Sequence, residues 1–576
     1  MKSRFGMAAG AALALAAAPV LAQAPRAAAG EGPARHAARP TTAAITRDDA
    51  MTRVYVLADD SMMGRDAGTR GNVMGTEYIA AEARRIGLKP AGENGTYFQT
   101  VPMVRRTVDP QSSFTPQGGN PLKLWEDFAP LPQVEGFFDV STTLAAQAAP
   151  VVYGGRWGDS AAIAPEQARG RFVVFSAPMA PNGRPDFRIW TKGPMTRYAG
   201  VTGIAIATLD ASPPPFVGFL REEQLVLPAE RGQQAGPPVM LVTSIAAERL
   251  LGAPLSSLRP GAAAAGGRTV TGGFRPLEQR TPFPARNVVA VLPGTDARLR
   301  GQYVAVGAHN DHVGIAEHAE DHDSLRVFDR LFRRGGVEAP PKEDLSAAET
   351  AQLRAGIDSL RRIRPARRDS IFNGADDDAS GSAGVLEIAQ QMAARPPRRS
   401  ILFVWHTAEE KGLFGSQYFT EHPTVPRDSI VAQLNIDMIG RGRADDVERG
   451  GGQGYLQLVG SRRLSTQLGD LVEEVNRTGS HGFTFDYSMD ADKHEANIYC
   501  RSDHYNYARW GIPVTFFTTG GHADYHMVTD EPQYIDFDKL VRVSRFIGSV
   551  AEAVANRDAR PVVDKPKPDP YGRCQQ

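Results

Sequence analysis

Short apolar runs of β type alternate along the chain with stretches of helical spacing. Ser400-Ile-Leu-Phe-Val-Trp405 has the length and composition of a buried strand, and 303–308, 431–437 and 513–517 repeat the pattern. Helical periodicity marks 74–86 (Tyr78, Ile79, Ala83, Ile86), which Gly87-Leu-Lys-Pro90 terminates. The same spacing recurs after Gly381 (Val385, Leu386, Ile388, Ala389, Met392), over 464–475 and over 538–554. Strands interleaved with helices predict an α/β fold. Between 132 and 282 the texture changes to short β-type runs separated by Gly and Pro, at 150–155, 170–175, 203–207 and 238–242. That stretch predicts a small separate β-rich unit.

The chemistry collects where strands end, which is where ligands gather in open α/β sheets. The 400–405 run leads into His-Thr-Ala-Glu409-Glu410-Lys-Gly. An isolated Glu-Glu pair is ordinarily a solvated loop feature, but this one has company. The 303–308 run meets His309-Asn-Asp311-His312-Val-Gly314, and the 431–437 run ends in Asp437. Gly374-Ala-Asp376-Asp377-Asp378-Ala-Ser-Gly381 opens a helix, and Gly520-Gly-His522-Ala-Asp524-Tyr525-His526 follows the last strand. One histidine and one carboxylate per metal, a shared carboxylate and a spare glutamate are the parts of a two-metal hydrolytic site.

In this order the motifs resemble the co-catalytic di-zinc exopeptidases, the family of bacterial leucyl aminopeptidases and glutamate carboxypeptidase, over roughly residues 46–556. The resemblance implies a mixed central β-sheet flanked by helices, two Zn2+ ions per chain and a peptide substrate. His309 matches the family's Gly-x-His-x-Asp motif, and Asp377, with Ser380 and Gly381 behind it, matches the bridging aspartate. Asp437 would complete the His309 metal, and Glu410 and His526 the other. Glu409 matches the general base, Tyr525 an oxyanion donor, and Asp311 an acceptor that orients the His309 imidazole. The 377–378 peptide would be cis. The 132–282 unit resembles a protease-associated domain inserted before the His309 motif.

Other residues receive plainer readings. His312 would pack or support, and His318, His322, Asp321 and Asp323 would belong to a charged loop. His522 and Asp524 would support the site, and Asp503-His504 would lie near the pocket. Arg441 and Arg443 are candidate contacts for a substrate carboxylate, though a solvated loop is the simpler reading. Residues 315–372 are more than the family uses between these motifs. Their spacing over 321–334 and 345–363 predicts a helical insertion at the mouth of the site.

Residues 1–22 read as a secretory signal, with Lys2 and Arg4 before an Ala/Leu run and Val20-Leu-Ala22 as cleavage site. Residues 23–44 predict a disordered linker, 45–131 and 283–556 the catalytic domain, and 557–576 a disordered tail. Lys and Arg total 65, as do Asp and Glu, so net charge points to no nucleic acid. No later stretch approaches the length of a membrane span. The only cysteines are Cys500 and Cys574, and their pairing stays open. The reading is an exported (periplasmic or extracellular) di-zinc exopeptidase, an aminopeptidase that uses a metal-bridging hydroxide with Glu409 as base. Its alternatives are a carboxypeptidase or dipeptidase, then a glutaminyl cyclase-like enzyme or a non-catalytic scaffold.

Overall fold

The computed structural model describes residues 31–134, 138–228, 236–442, 447, 450–572, 574 and 576; the 1–22 signal reading and Arg443 lie outside them. Among these residues, a nine-stranded mixed sheet forms the centre of the larger unit. Its middle strands, Ser400–His406, Tyr303–His309, Ile430–Ile436 and Val514–Thr518, run parallel and in that order. Register aligns their carboxyl ends: His309 pairs with His406, and Gly307 with Asn435. The next strands outward, Ala285–Leu292 and Tyr455–Val459, are antiparallel to these inner neighbours.

Alternation explains why these strands are apolar throughout. Val304, Val306, Ile401, Phe403 and Trp405 face a core built with helices Arg47–Leu57, Arg70–Ile86, Ala379–Ala394 and Phe537–Asn556. Ala305, Leu402 and Val404 face the other way, against Phe419, Tyr505, Tyr507 and Ile512. A sheet buried on both faces has no polar side to show in its sequence.

The second unit is an eight-stranded sheet with an apolar core on either face. The strand readings at 150–155, 170–175, 203–207 and 238–242 lie side by side in it as Leu144–Arg156, Phe172–Ser176, Gly203–Ala207 and Val239–Val242, paired in parallel. The expected boundary at 132 is too late. Ser113–Pro116, Leu122–Lys123 and Phe128–Pro130 also belong to this sheet. They are too short to carry a periodic signal. The chain enters and leaves through one antiparallel pairing, with Val108 opposite Pro276.

Three further expectations change. The 315–372 insertion is not purely helical. Gly314–Asp321 and Arg368–Phe372 pair as an antiparallel ribbon that carries helices His322–Phe332 and Ala347–Arg361. Residues 31–44, expected to be disordered, lie against the larger unit: Glu31 pairs with Arg364 at 2.8 Å, Gly32 N–H donates to Gln533 O at 2.7 Å, and Thr41 donates to Gln390 at 2.8 Å. The 557–576 tail is also anchored, by a Cys500–Cys574 disulfide and by Gln576, which hydrogen-bonds Asn497 and Tyr499. Composition reports the solubility of such segments but not their distant partners.

The bridge closes a separation of 74 residues. Cys574→Ser should lower the unfolding free energy by about 2–4 kcal/mol, read as a lower denaturant midpoint. An unchanged midpoint would show that the tail contributes no stability through this link.

Candidate metal centre

Four strand-end segments and the helix beginning at Ala379 converge on Asp377. Its Oδ1 lies 3.0 Å from His309 Nε2, and its Oδ2 lies 2.9 Å from His526 Nε2. Asp437 Oδ1 stands 3.7 Å from His309 Nε2, and Glu410 Oε2 stands 2.9 Å from His526 Nε2. The structure thus brings His309, Asp377, Glu410, Asp437 and His526 into one buried cluster with Asp377 in the middle. Both imidazole Nε2 atoms are buried, lie beside carboxylate oxygens and make no hydrogen bond. Imidazole nitrogens and carboxylate oxygens in two adjacent groups fit zinc.

His312 sits closer than a packing role requires. Its Nδ1 is 2.6 Å from Glu410 Oε1 and 3.8 Å from Asp377 Oδ2, so it belongs with the Asp377, Glu410 and His526 group. Asp311 departs from its expected geometry. The His309 Nδ1 partner is the Asp311 backbone carbonyl at 3.2 Å, with the Asp311 carboxylate 3.7 Å away. That carboxylate accepts the Glu409 N–H at 3.1 Å, so Asp311 holds the Glu409 loop as well as the histidine.

Electrostatics follow from crowding carboxylates away from water. Burial raises the Glu409 carboxyl well above its usual range; Asp437 and Glu410 add to this against the pull of His309. Burial would also raise Asp377, but His309 and His526 outweigh it and hold the group well below the usual carboxylate range. Tyr525, stacked on His526 with ring centroids 4.1 Å apart, is kept protonated by burial and by Asp377 nearby.

Sequence reasoning missed several residues that hold this cluster in place. The Asp377–Asp378 peptide is cis, in line with the resemblance. Asp378 accepts N–H groups from His309 at 3.1 Å, Met438 at 3.2 Å and Gly381 at 2.9 Å, joining two strand ends to a helix start. Gly381 is required there, because a Cβ would come within 2.3 Å of Asp378 Oδ1. Ser502 donates to Asp437 Oδ2 at 2.7 Å, and Asp530 accepts the N–H of Asp376 at 2.9 Å and of Asp377 at 3.2 Å. The capping spacing from Asp378 to Gly381 is a readable signal. Ser502 and Asp530 offer none.

Several plain readings are also revised. His322 and Asp323 are buried, not parts of a charged loop, and form ion pairs with Glu531 and Arg364. Asp321 caps the following helix, and His318 is exposed. His522 supports the site through Asp376 at 3.2 Å. Arg441 is fully buried between Asp524 at 2.9 Å and Asp530 at 3.0 Å, so it is neither a solvated loop residue nor available to a substrate carboxylate.

The chain is similar over part of its length to known zinc metalloproteases and aminopeptidases. A probable zinc metalloprotease of Pyrenophora tritici-repentis (strain Pt-1C-BFP) is 38% identical over 94 residues, 16% of this chain and 22% of that protein. An aminopeptidase of Pseudomonas aeruginosa (strain UCBPP-PA14) is 41% identical over 93 residues, 16% of this chain and 17% of that protein. The matches thus span about a fifth of these relatives' length. The solved aminopeptidase from Aneurinibacillus sp. strain AM-1 is 16% identical, with 91% of this chain and 97% of that chain covered and a TM-score of 0.46. The model of peptidase family M28 matches residues 337–551. This stretch, which carries Asp377, Glu409, Glu410, Asp437 and His526, is similar to peptidase family M28.

Proposed function

We propose that the protein is an exported di-zinc exopeptidase, an aminopeptidase acting on peptide N-termini. The observation that carries this reading is the Asp377 carboxylate, which turns one oxygen to His309 and the other to His526. His309 and Asp437 would hold one ion, Glu410 and His526 the other, and Asp377 both. Bound there, zinc supplies Lewis acidity, polarising a carbonyl and lowering the pKa of water from roughly 16 to about 7.

The chain's own residues do the rest. Glu409 is the spare carboxylate, absent from both groups that could hold an ion. It takes the proton of the attacking water and delivers it to the leaving amine. Tyr525 keeps its phenolic proton and donates to the oxyanion of the tetrahedral intermediate. Asp311 fixes the Glu409 backbone and with it the approach of the base.

Aminopeptidase action is favoured over carboxypeptidase action because Arg441 is already committed to two aspartates. The aminopeptidase name of the Pseudomonas relative supports the same choice. Export is supported by the leader-like residues 1–22 and by the Cys500–Cys574 bridge, which suits an oxidising compartment. The inserted β-rich unit offers no ligand cluster among its described residues and is proposed as an accessory module of protease-associated type.

Given one peptide in free, N-acetylated and C-amidated forms, the protein should cleave the free and amidated forms and spare the acetylated one. A chelator should abolish cleavage. Sparing of the amidated form instead would make it a carboxypeptidase. Glu409→Gln should lower kcat by about 10²–10⁴-fold while two zinc ions per chain are retained by elemental analysis. Activity within tenfold of wild type would remove Glu409 from the role of base.

A further inference from the structure

The insertion borne on the Gly314–Asp321 ribbon reaches a buried ion pair beside the candidate metal centre. Arg326, on helix His322–Phe332, reaches inward with a side chain only 5% exposed. Its Nη1 is ion-paired with Asp524 Oδ2, and its guanidinium carbon lies 3.3 Å from the centroid of the Tyr534 ring. Asp524 stands two residues before His526 and receives Thr529 Oγ1 at 2.7 Å.

From Asp524 the charges continue. Arg441 spans Asp524 and Asp530, all three fully buried, and Asp530 takes the backbone N–H groups of Asp376 and Asp377. Arg326, Asp524, Arg441 and Asp530 form a row of alternating charge with no net excess. One end is the insertion; the other is the peptide that carries the shared ligand Asp377. The second link is backbone. Val337 N–H donates to Tyr525 O at 3.1 Å, and a Cβ on Gly336 would lie 2.4 Å from that carbonyl oxygen and 2.9 Å from His522 O. His526 itself holds φ 53°, in the left-handed region, so its loop needs external fixing.

We infer that the insertion is a clamp on the metal centre, and that Arg326 is a positioning residue that sets the His526 loop by completing the buried charge row. The inference rests on the zinc reading above. Without Arg326 the row keeps two aspartates and one arginine. The excess negative charge would be relieved by moving the Asp524 segment, and His526 with it. Neutralising Asp524 as well leaves Arg441 and Asp530 as a balanced pair.

The test is zinc affinity of the full chain, measured by competition with a chromophoric chelator on wild type, Arg326→Met and the double variant Arg326→Met/Asp524→Asn. Wild type should bind two zinc ions. Arg326→Met should bind the weaker ion roughly tenfold less tightly, the scale on which supporting residues act on metal sites. The double variant should recover most of that loss, a rescue that mere packing would not produce. Wild type without zinc would overturn the metal reading itself. Two ions in wild type with unchanged affinity in Arg326→Met would overturn only the clamp, as would a double variant no better than the single one. If Arg326→Met does not fold but the double variant folds and binds zinc, the charge row is upheld. If neither folds, Arg326 serves the fold and the inference falls.

Discussion

Carboxylates do not stay ionised away from water unless something positive comes to them. Asp311, Asp377, Asp378 and Asp437 are all buried around one point, with the Glu410 side chain almost fully covered. The protein meets this demand in two ways. Around Asp378 and Asp530 it supplies backbone N–H groups and, for Asp530, Arg441. Around Asp377 and Glu410 it supplies the His309 and His526 imidazoles, whose Nε2 atoms face the carboxylates without making a hydrogen bond. The second set calls for cations, which is the physical content of a candidate metal centre.

The scaffold makes the arrangement inexpensive. Parallel strands bring their carboxyl ends to one edge, so residues more than two hundred positions apart, such as His309 and His526, need only short loops to meet. Asp378 ties two of those ends to the helix that begins beside it. Rigid strand ends then hold these side chains close together.

Most of the candidate ligands were legible because they follow the end of an apolar run, while Asp377 was marked by the helix that opens beside it. Glu409 and Glu410 could be told apart only through resemblance, since spacing treats neighbouring carboxylates alike. The supporting residues were opaque for a different reason. Arg326 and Asp524 are 198 positions apart, and nothing local in either segment announces the other. His322 and Asp323 looked like a solvated loop because charged residues usually are, and only their partners explain their burial. The early start of the second sheet escaped notice because strands of two to four residues lack a period.

The paired strands at Val108 and Pro276 have a consequence for how the chain is made. The strand Phe98–Val101 must find Ala285–Leu292 across the whole inserted unit, with Val101 opposite Ala285. As an unstructured loop, that length would slow the search. Once folded, the unit holds its own ends side by side, and the closure shrinks to that of a hairpin. On a ribosome the insert emerges before the second of these strands, so the order of synthesis is also the order that spares the central sheet a long-range search.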